Sequence, residues 1–421
     1  MANSQDNDEP VAVRTRSRSW LRPRISNPPT IVYFDHTAIM SGGEIALLNL
    51  ILSLDRSLYT PVVVLGMDGP LADRLREADV EVHILPLYAD VATTRKDTLR
   101  PGSLLRAGTA IHSLKYSVRL ARLLRARKAD LIHTNSLKAD ILGGIAARLA
   151  RIPVIWHVRD RIADDYLPSF AVTMFRLSCR VLPDYIIANS HATIQTLATG
   201  VAVRAAVVHS GSTNRQIRVV HDGIPEHALP PRMPLSSSRI IGLVGRISPW
   251  KGQHVFIDAA AEVLKQYPDT RFQIIGSAMF GEEAYESQIR EQIHQLGLSD
   301  QIELTGFCED VFSRINKLDV LVHASTMGEP FGQVVVEGMV AGKPVVATSG
   351  GGILEIVVDG QTGYLVPMGD AQAMATAICK LLSDPVGAFE MGLRGRARVL
   401  KHFTIDITAQ KVQDIYAEFF A

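Results

Sequence analysis

The feature that most constrains this chain is an alternation of short β-branched runs with longer amphipathic stretches, made twice. In the first half IVYF, PVVVL, EVHIL, DLIH, PVIWHV and DYIIA read as strands, because a short apolar run without polar alternation suits a strand covered on both faces. Helical stretches separate them at 43–54, 70–78, 103–127, 137–150 and 166–181. Residues 209–236 break the pattern with Ser210-Gly211-Ser212-Thr213-Asn214 and Leu229-Pro230-Pro231, and are read as a hinge. The alternation then restarts with RIIGLVG, RFQIIG, QIELTG, DVLVHA and PVVAT. Such alternation predicts parallel, doubly wound sheets, and 421 residues suit two cores better than one. The expected fold class is α/β with two Rossmann-like domains, residues 29–215 and 216–405. In open sheets of this kind ligands sit beyond the carboxyl ends of the strands, so the residues just after each strand matter most.

Composition removes several function classes. Net charge is +1, which gives no global pull toward nucleic acid. The three cysteines, Cys179, Cys308 and Cys379, form no CxxC pair, so neither a zinc site nor a disulfide framework is expected. No apolar run reaches the roughly 18 residues that span a bilayer, and the start MANSQDNDEP is not a secretory signal. A cytoplasmic protein is expected. Residues 1–28 carry Arg14, Arg16, Arg18, Arg22 and Arg24 in a polar setting that cannot offset its ordering entropy, so a disordered basic tail is expected.

Three motifs in the second half carry chemistry. Strand RIIGLVG ends at Gly245 and is followed by Arg246 and Lys251, two cations suited to a departing diphosphate. At about 4 Å and an effective dielectric near 20, one such pair is worth roughly 4 kcal/mol before desolvation. After strand DVLVHA comes Glu329-Pro330-Phe331-Gly332-Gln333, opening a helix that carries Glu337. The free N–H groups of that helix start favour an anion. Glu329 is placed to accept from sugar hydroxyls and Glu337 from a ribose diol; a carboxylate among Val334, Val335, Val336 and Met339 is costly without such partners. Finally Gly350-Gly351-Gly352 forms a turn between PVVAT and a helix, where glycine either lets backbone approach a ligand or makes a tight strand–helix connection.

In this order and spacing, GRISPWKG, EPFGQVVVE and GGGILEIV resemble the signature of the retaining glycosyltransferases of family 4, over roughly residues 30–420. The resemblance implies the GT-B fold, in which two Rossmann-like domains face a central cleft, and a last helix (406–421) that crosses back onto the first. It implies that Arg246 and Lys251 bind the diphosphate, Glu329 the donor sugar and Glu337 the ribose, with Gly245, Phe331, Gly332, Gly351 and Gly352 in the donor site. In the first half it points to the loop of Gly42 and Gly43 and to His157, at the end of PVIWHV, close to the transferred sugar; Asn135 is a weaker candidate for acceptor contact. The chain departs from the family pattern at His221-Asp222-Gly223 and at Gly276-Ser277-Ala278.

The implied function is transfer of a sugar from a nucleotide-diphosphate-sugar to a glycan, lipid-linked or small-molecule acceptor, with the nucleotide-sugar as co-substrate. The only Asp-x-Asp, Asp6-Asn7-Asp8, lies in the tail, so no metal cofactor is implied. Residues 95–128 hold ten Lys or Arg against Asp97. Lys115, Arg119 and Arg122 share one helical face, with Ile111, Leu114, Val118 and Ala121 on another. This is either a core helix with a solvated face or a peripheral contact with the inner membrane face; a nucleic-acid surface is disfavoured by sparse aromatics. A GT-B sugar-nucleotide epimerase and a non-catalytic GT-B binding module are the alternatives. A pyridoxal-dependent phosphorylase would need a lysine-bound cofactor, and an NAD dehydrogenase would need the GxGxxG that no strand here precedes.

Overall fold

A computed structural model describes residues 28–92, 107–198, 216–226, 239–279 and 281–420. All but the last residue of the expected basic tail, most of the hinge and residues 95–106 of the basic stretch lie outside the described residues.

Two parallel sheets form, each wound outward in both directions from a central strand. The first comprises β1 (Thr30–Asp35), β2 (Thr60–Leu65), β3 (Glu81–Ile84), β4 (Leu131–Thr134), β5 (Val154–Val158), β6 (Tyr185–Ala188) and β7 (Gln216–Val219), in the order β3-β2-β1-β4-β5-β6-β7. The second comprises β8 (Ile240–Val244), β9 (Arg271–Ile275), β10 (Ile302–Gly306), β11 (Val320–His323), β12 (Val345–Thr348) and β13 (Tyr364–Val366), in the order β10-β9-β8-β11-β12-β13. The winding direction therefore reverses between β1 and β4 in one sheet and between β8 and β11 in the other. A crevice opens at each reversal, because the flanking connections leave toward opposite faces.

The central strands are buried throughout, in keeping with their unbroken apolar runs. Val32, Phe34, Ile132 and Trp156 pack on one face of the first sheet, and Ile31, Tyr33, Leu131 and Ile155 on the other. The second sheet is covered likewise, by Leu243, Phe256 and Phe272 on one side and by Leu321, Val336 and Met339 on the other. Two edge strands differ from the sequence reading. β7 lies inside the expected hinge and pairs with β6, so the first sheet runs past residue 215, and β13 had not been expected as a strand.

The helices begin and end where local chemistry allows. α1 (Gly42–Leu52), α2 (Pro70–Glu77), α3 (Ala89–Ala92), α4 (Ala107–Ala126), α5 (Leu137–Ala150), α6 (Ser169–Ser178) and α7 (His191–Ala198) belong to the first half. α8 (Gln253–Leu264), α9 (Glu283–Gln295), α10 (Val311–Lys317), α11 (Gln333–Val340), α12 (Ile353–Ile356), α13 (Ala371–Ser383), α14 (Pro385–His402) and α15 (Ile405–Phe420) follow. At the start of α14, Asp384 accepts a hydrogen bond from the Gly387 amide, and Pro385 fills the first turn where no donor is needed. On α4 the buried face is Tyr116, Leu120 and Leu124, whereas Ile111 and Leu114 are 51% and 54% exposed. The apolar face expected there therefore points in part to solvent.

The C-terminal helix α15 returns to the first sheet. Ile405, Ala409, Val412, Ile415 and Tyr416 are buried against Ile31, Tyr33 and Leu47, the i, i+4, i+7 spacing that lays one helix face on a core. The chain thus crosses between the domains twice, and the crossings are bonded to each other: the Ile224 amide donates to Phe403 O at 3.1 Å and the Ile405 amide to Ile224 O at 2.9 Å. Gly223 permits this closeness, since a Cβ there would lie 2.3 Å from Thr404 O.

Candidate active site

Both crevices are lined by the residues that leave the reversing strands. At the second, β8 delivers Gly245 and Arg246, a short 3-10 turn (Pro249–Lys251) presents Lys251, and β11 runs into Ser325 and Glu329. Lys251 Nζ lies 2.6 Å from Glu329 Oε1 and 4.3 Å from the centre of the Trp250 ring, and its side chain is 19% exposed. The same carboxylate oxygen accepts from Ser325 Oγ at 2.7 Å and lies 3.1 Å from His323 Nε2. Burial pushes the Glu329 carboxyl upward, but Lys251 and His323 outweigh it and hold the group well below the usual carboxylate range. Glu329 is therefore an ionised acceptor fixed by three donors. Arg246 is half-buried, its carbonyl accepting from Gln253 Nε2 at 2.9 Å. Gly245 packs beside the Lys251 stem, 3.9 Å from the position a Cβ would take.

Glu337 is half-buried one turn into α11, with Gln333 Nε2 at 3.3 Å as its bonded neighbour. Burial raises its pKa to about 7. Gly332 caps this helix at φ +113°, a conformation that favours glycine, and Ile353 occupies the space a Cβ would need. The helix start faces the first domain, since a Cβ on Gly42 would lie 3.8 Å from Gln333 Oε1.

The glycine turn packs as a tight strand–helix connection. Gly351, at φ +62°, and Gly352 lie against the backbone of Glu329 and Phe331, and the Gly352 amide donates to Glu329 O at 2.9 Å. These glycines admit the protein's own chain and so fix the loop that carries Glu329. Phe331 is also displaced from its expected place: it is buried in the core against His221 and Phe403, at ring distances of 5.8 and 6.0 Å, and not exposed in the groove.

In the first domain a buried polar network replaces the open contacts expected of His157 and Asn135. Asn135 Nδ2 donates to Asp35 Oδ2 at 2.7 Å and to Gly43 O at 3.1 Å, and its Oδ1 accepts from Arg159 Nε at 2.8 Å. Arg159 also pairs with Asp222, which accepts from Asn189 Nδ2 at 3.1 Å. His157 is wholly buried, with Nδ1 3.1 Å from His133 Nε2 and 3.2 Å from Arg159 Nη2. His133 Nδ1 in turn meets Tyr416 Oη at 2.6 Å, and Tyr416 meets Tyr33 Oη at 2.8 Å. Burial and the nearby Arg159 lower both imidazoles, His133 to about 3, so both are neutral. The carboxyl end of β5 is roofed by this network, which explains why a histidine that ends a strand is closed off from solvent.

Loops from the two domains also meet directly. Arg161 Nη1 donates to Gly328 O at 3.1 Å. Glu355 of α12 accepts from the His191 and Ala192 amides at 3.0 and 2.9 Å and from His221 Nε2 at 2.8 Å. A carboxylate capping the first turn of α7 is favoured by the helix dipole as well as by the two amides.

Comparison with known proteins accords with this geometry. The description "Glycosyl transferases group 1" matches residues 233–398 and "Glycosyltransferase Family 4" matches residues 70–226. The capsular polysaccharide biosynthesis glycosyltransferase CapM of Staphylococcus aureus is 25% identical over 374 residues, 85% of this chain and 90% of that protein. The lipopolysaccharide core biosynthesis mannosyltransferase LpsB of Rhizobium meliloti is 30% identical over 182 residues, 43% of this chain and 52% of that protein. Several curated relatives are matched over about half of their own length. Among solved structures, Anabaena HepE in complex with UDP and glucose superposes with a TM-score of 0.77 at 26% identity, covering 92% of this chain and 99% of that one.

Proposed function

Because the chain belongs to glycosyltransferase family 4, whose descriptions match both of its halves, we propose that it transfers a sugar from a nucleoside diphosphate sugar to a hydroxyl acceptor, with retention of configuration and without a required metal ion. The observation that carries this reading is the Lys251–Glu329 pair at the β8/β11 crevice, a partly exposed cation held beside a fixed carboxylate. HepE, similar over nearly its whole length, is described with UDP-glucose.

In this mechanism Lys251, Arg246 and the amides at the start of α11 take up the charge of the leaving diphosphate, where preorganised charge is usually the largest catalytic contribution. The acceptor oxygen forms its bond to the anomeric carbon on the face from which the phosphate oxygen departs. That oxygen takes the acceptor's proton. Glu329 accepts from hydroxyls of the transferred sugar, and Glu337 from the ribose diol.

No described helix is long and apolar enough to cross a membrane. The exposed Ile111 and Leu114 beside Lys115 and Arg122 on α4 support a peripheral contact with an anionic lipid surface at the inner membrane face. This would bring a lipid-linked acceptor near the first crevice.

A thermal-shift screen against UDP-, GDP- and ADP-sugars tests the donor reading. A true donor at 100-fold its dissociation constant stabilises the fold by about 2.7 kcal/mol; stabilisation by none of the three would sink the assignment. The state of Glu337 adds a pH dependence. With its pKa near 7 in the free protein, the acceptor form needed by the ribose is a minority at pH 6 and the majority at pH 8. Nucleotide affinity is therefore expected to rise about tenfold across that interval and to stay flat in Glu337→Gln, as measured by calorimetric titration at each pH.

A further inference from the structure

At the first crevice, β1 ends in Asp35 and His36 and β4 runs into Asn135 and Ser136. His36 Nδ1 lies 3.0 Å from Asp35 Oδ1 and 2.7 Å from Ser136 Oγ. Asp35 is wholly buried and also accepts from Ser136 Oγ at 2.8 Å and from Asn135 Nδ2 at 2.7 Å. Burial presses its carboxyl upward, but His36, Asn135 and Ser136 outweigh this and keep it below the usual range. An ionised carboxylate only accepts hydrogen bonds. In the uncharged ring the proton therefore sits on Nδ1, shared between Asp35 and Ser136, whose own hydroxyl proton goes to Asp35. This leaves a lone pair on His36 Nε2, on a side chain 27% exposed. His36 stands in the loop that leads to Gly42, where a Cβ would lie 3.8 Å from Gln333 Oε1 of the opposite domain.

We infer that His36 is an acceptor-docking residue, its Nε2 accepting a hydrogen bond from a sugar hydroxyl bound in the first crevice. Asp35 and Ser136 act as positioning residues that set the ring and its tautomer. Glu44, buried in the first turn of α1 and accepting from Ser41 Oγ, adds a second carboxyl group beside Asp35; burial together with the Asp35 charge pushes its pKa up to about 7. A floor built from hydrogen-bond acceptors selects a ligand rich in donors. The docked face of the acceptor is therefore a neutral polyol and not a phosphate-bearing one. This inference rests on the glycosyltransferase reading for its ligand, while the tautomer rests on the hydrogen bonds around the Asp35 carboxylate.

Nitrogen-15 histidine spectra of the full chain separate the two. The His36 signal, assigned by its loss in His36→Gln, is expected to show the Nδ1–H form with an unprotonated Nε2. Methyl glucoside, methyl galactoside and methyl mannoside are then titrated into protein saturated with UDP, GDP or ADP, whichever binds. At least one should move the Nε2 resonance, and glucose 6-phosphate should not. His36→Asn keeps a donor near the Nδ1 position but is too short to place an acceptor where Nε2 stood, so it should weaken that glycoside roughly five- to tenfold, the worth of one hydrogen bond. His36→Gln, which can return an oxygen to the same place, should recover part of the loss. Nucleotide binding should be the same in all three proteins. An Nε2–H tautomer, or a glycoside titration that leaves His36 unmoved while the nucleotide binds, overturns the inference. Failure of every nucleotide to bind would instead overturn the donor reading and leave the tautomer result intact.

Discussion

Replacing Lys251 with alanine is expected to lower turnover by about a hundred- to a thousandfold, the usual cost of losing one charge-stabilising donor at a reacting oxygen. Lys251 is the partly exposed cation of the second crevice whose position is fixed from two sides, by Glu329 Oε1 at 2.6 Å and by the Trp250 ring at 4.3 Å. Its removal leaves Glu329 with Ser325 Oγ and His323 Nε2, so the loop keeps two of its three side-chain partners and the fold survives. The pKa of Glu329 then rises toward ordinary values, because its largest stabilising charge has gone. Lys251→Arg is not a silent exchange: a planar fork does not replace a point charge in this geometry. Release of nucleoside diphosphate, followed beside the melting curve, is the measurement. Unchanged turnover in a well-folded Lys251→Ala protein would remove Lys251 from the mechanism.

Arg159→Met should destabilise the chain by about 3–5 kcal/mol, the cost of leaving a buried partner charge alone. Asp222 is buried and draws on Arg159 Nη1 and Asn189 Nδ2. Without the guanidinium, Asn135 Oδ1 also loses its donor. The double replacement Arg159→Met, Asp222→Leu removes both charges and should recover a large part of the loss, because an apolar pair of similar volume carries no desolvation cost. Denaturant midpoints of wild type and both variants decide the matter. A single-variant loss below about 1 kcal/mol would mean that Asp222 finds water or another partner when Arg159 is gone.

The central strands were legible in the sequence because burial on both faces leaves only apolar residues to write with. The two that were missed lie at sheet edges. Gln216–Val219 alternates polar with apolar residues, having one side open, and Tyr364–Val366 is three residues long. The second crevice was legible for a related reason: its charged groups follow strand ends at short spacing, as in Gly245-Arg246 and Lys251. What the chain order conceals is pairing across it. Nothing in DLIHTN shows that His133 will meet Tyr416, 283 positions later, or that Arg159 will find Asp222 in a loop read as hinge. The same holds for Phe331, where an apolar residue between two functional neighbours is drawn into the core by Phe403 of the returning chain.

The paired crossings at Ile224 and Phe403–Ile405 have a mechanical consequence. A single linker would allow the lobes to drift, twist and slide, whereas two strands of chain laced by 3.1 and 2.9 Å bonds behave as a pin. Swinging about that pin needs torsion at only a few backbone angles, while sliding would tear both bonds and the Gly223–Thr404 contact. A movement about that pin would be a jaw-like gape, and it would keep the register between His36 on one jaw and Lys251 on the other.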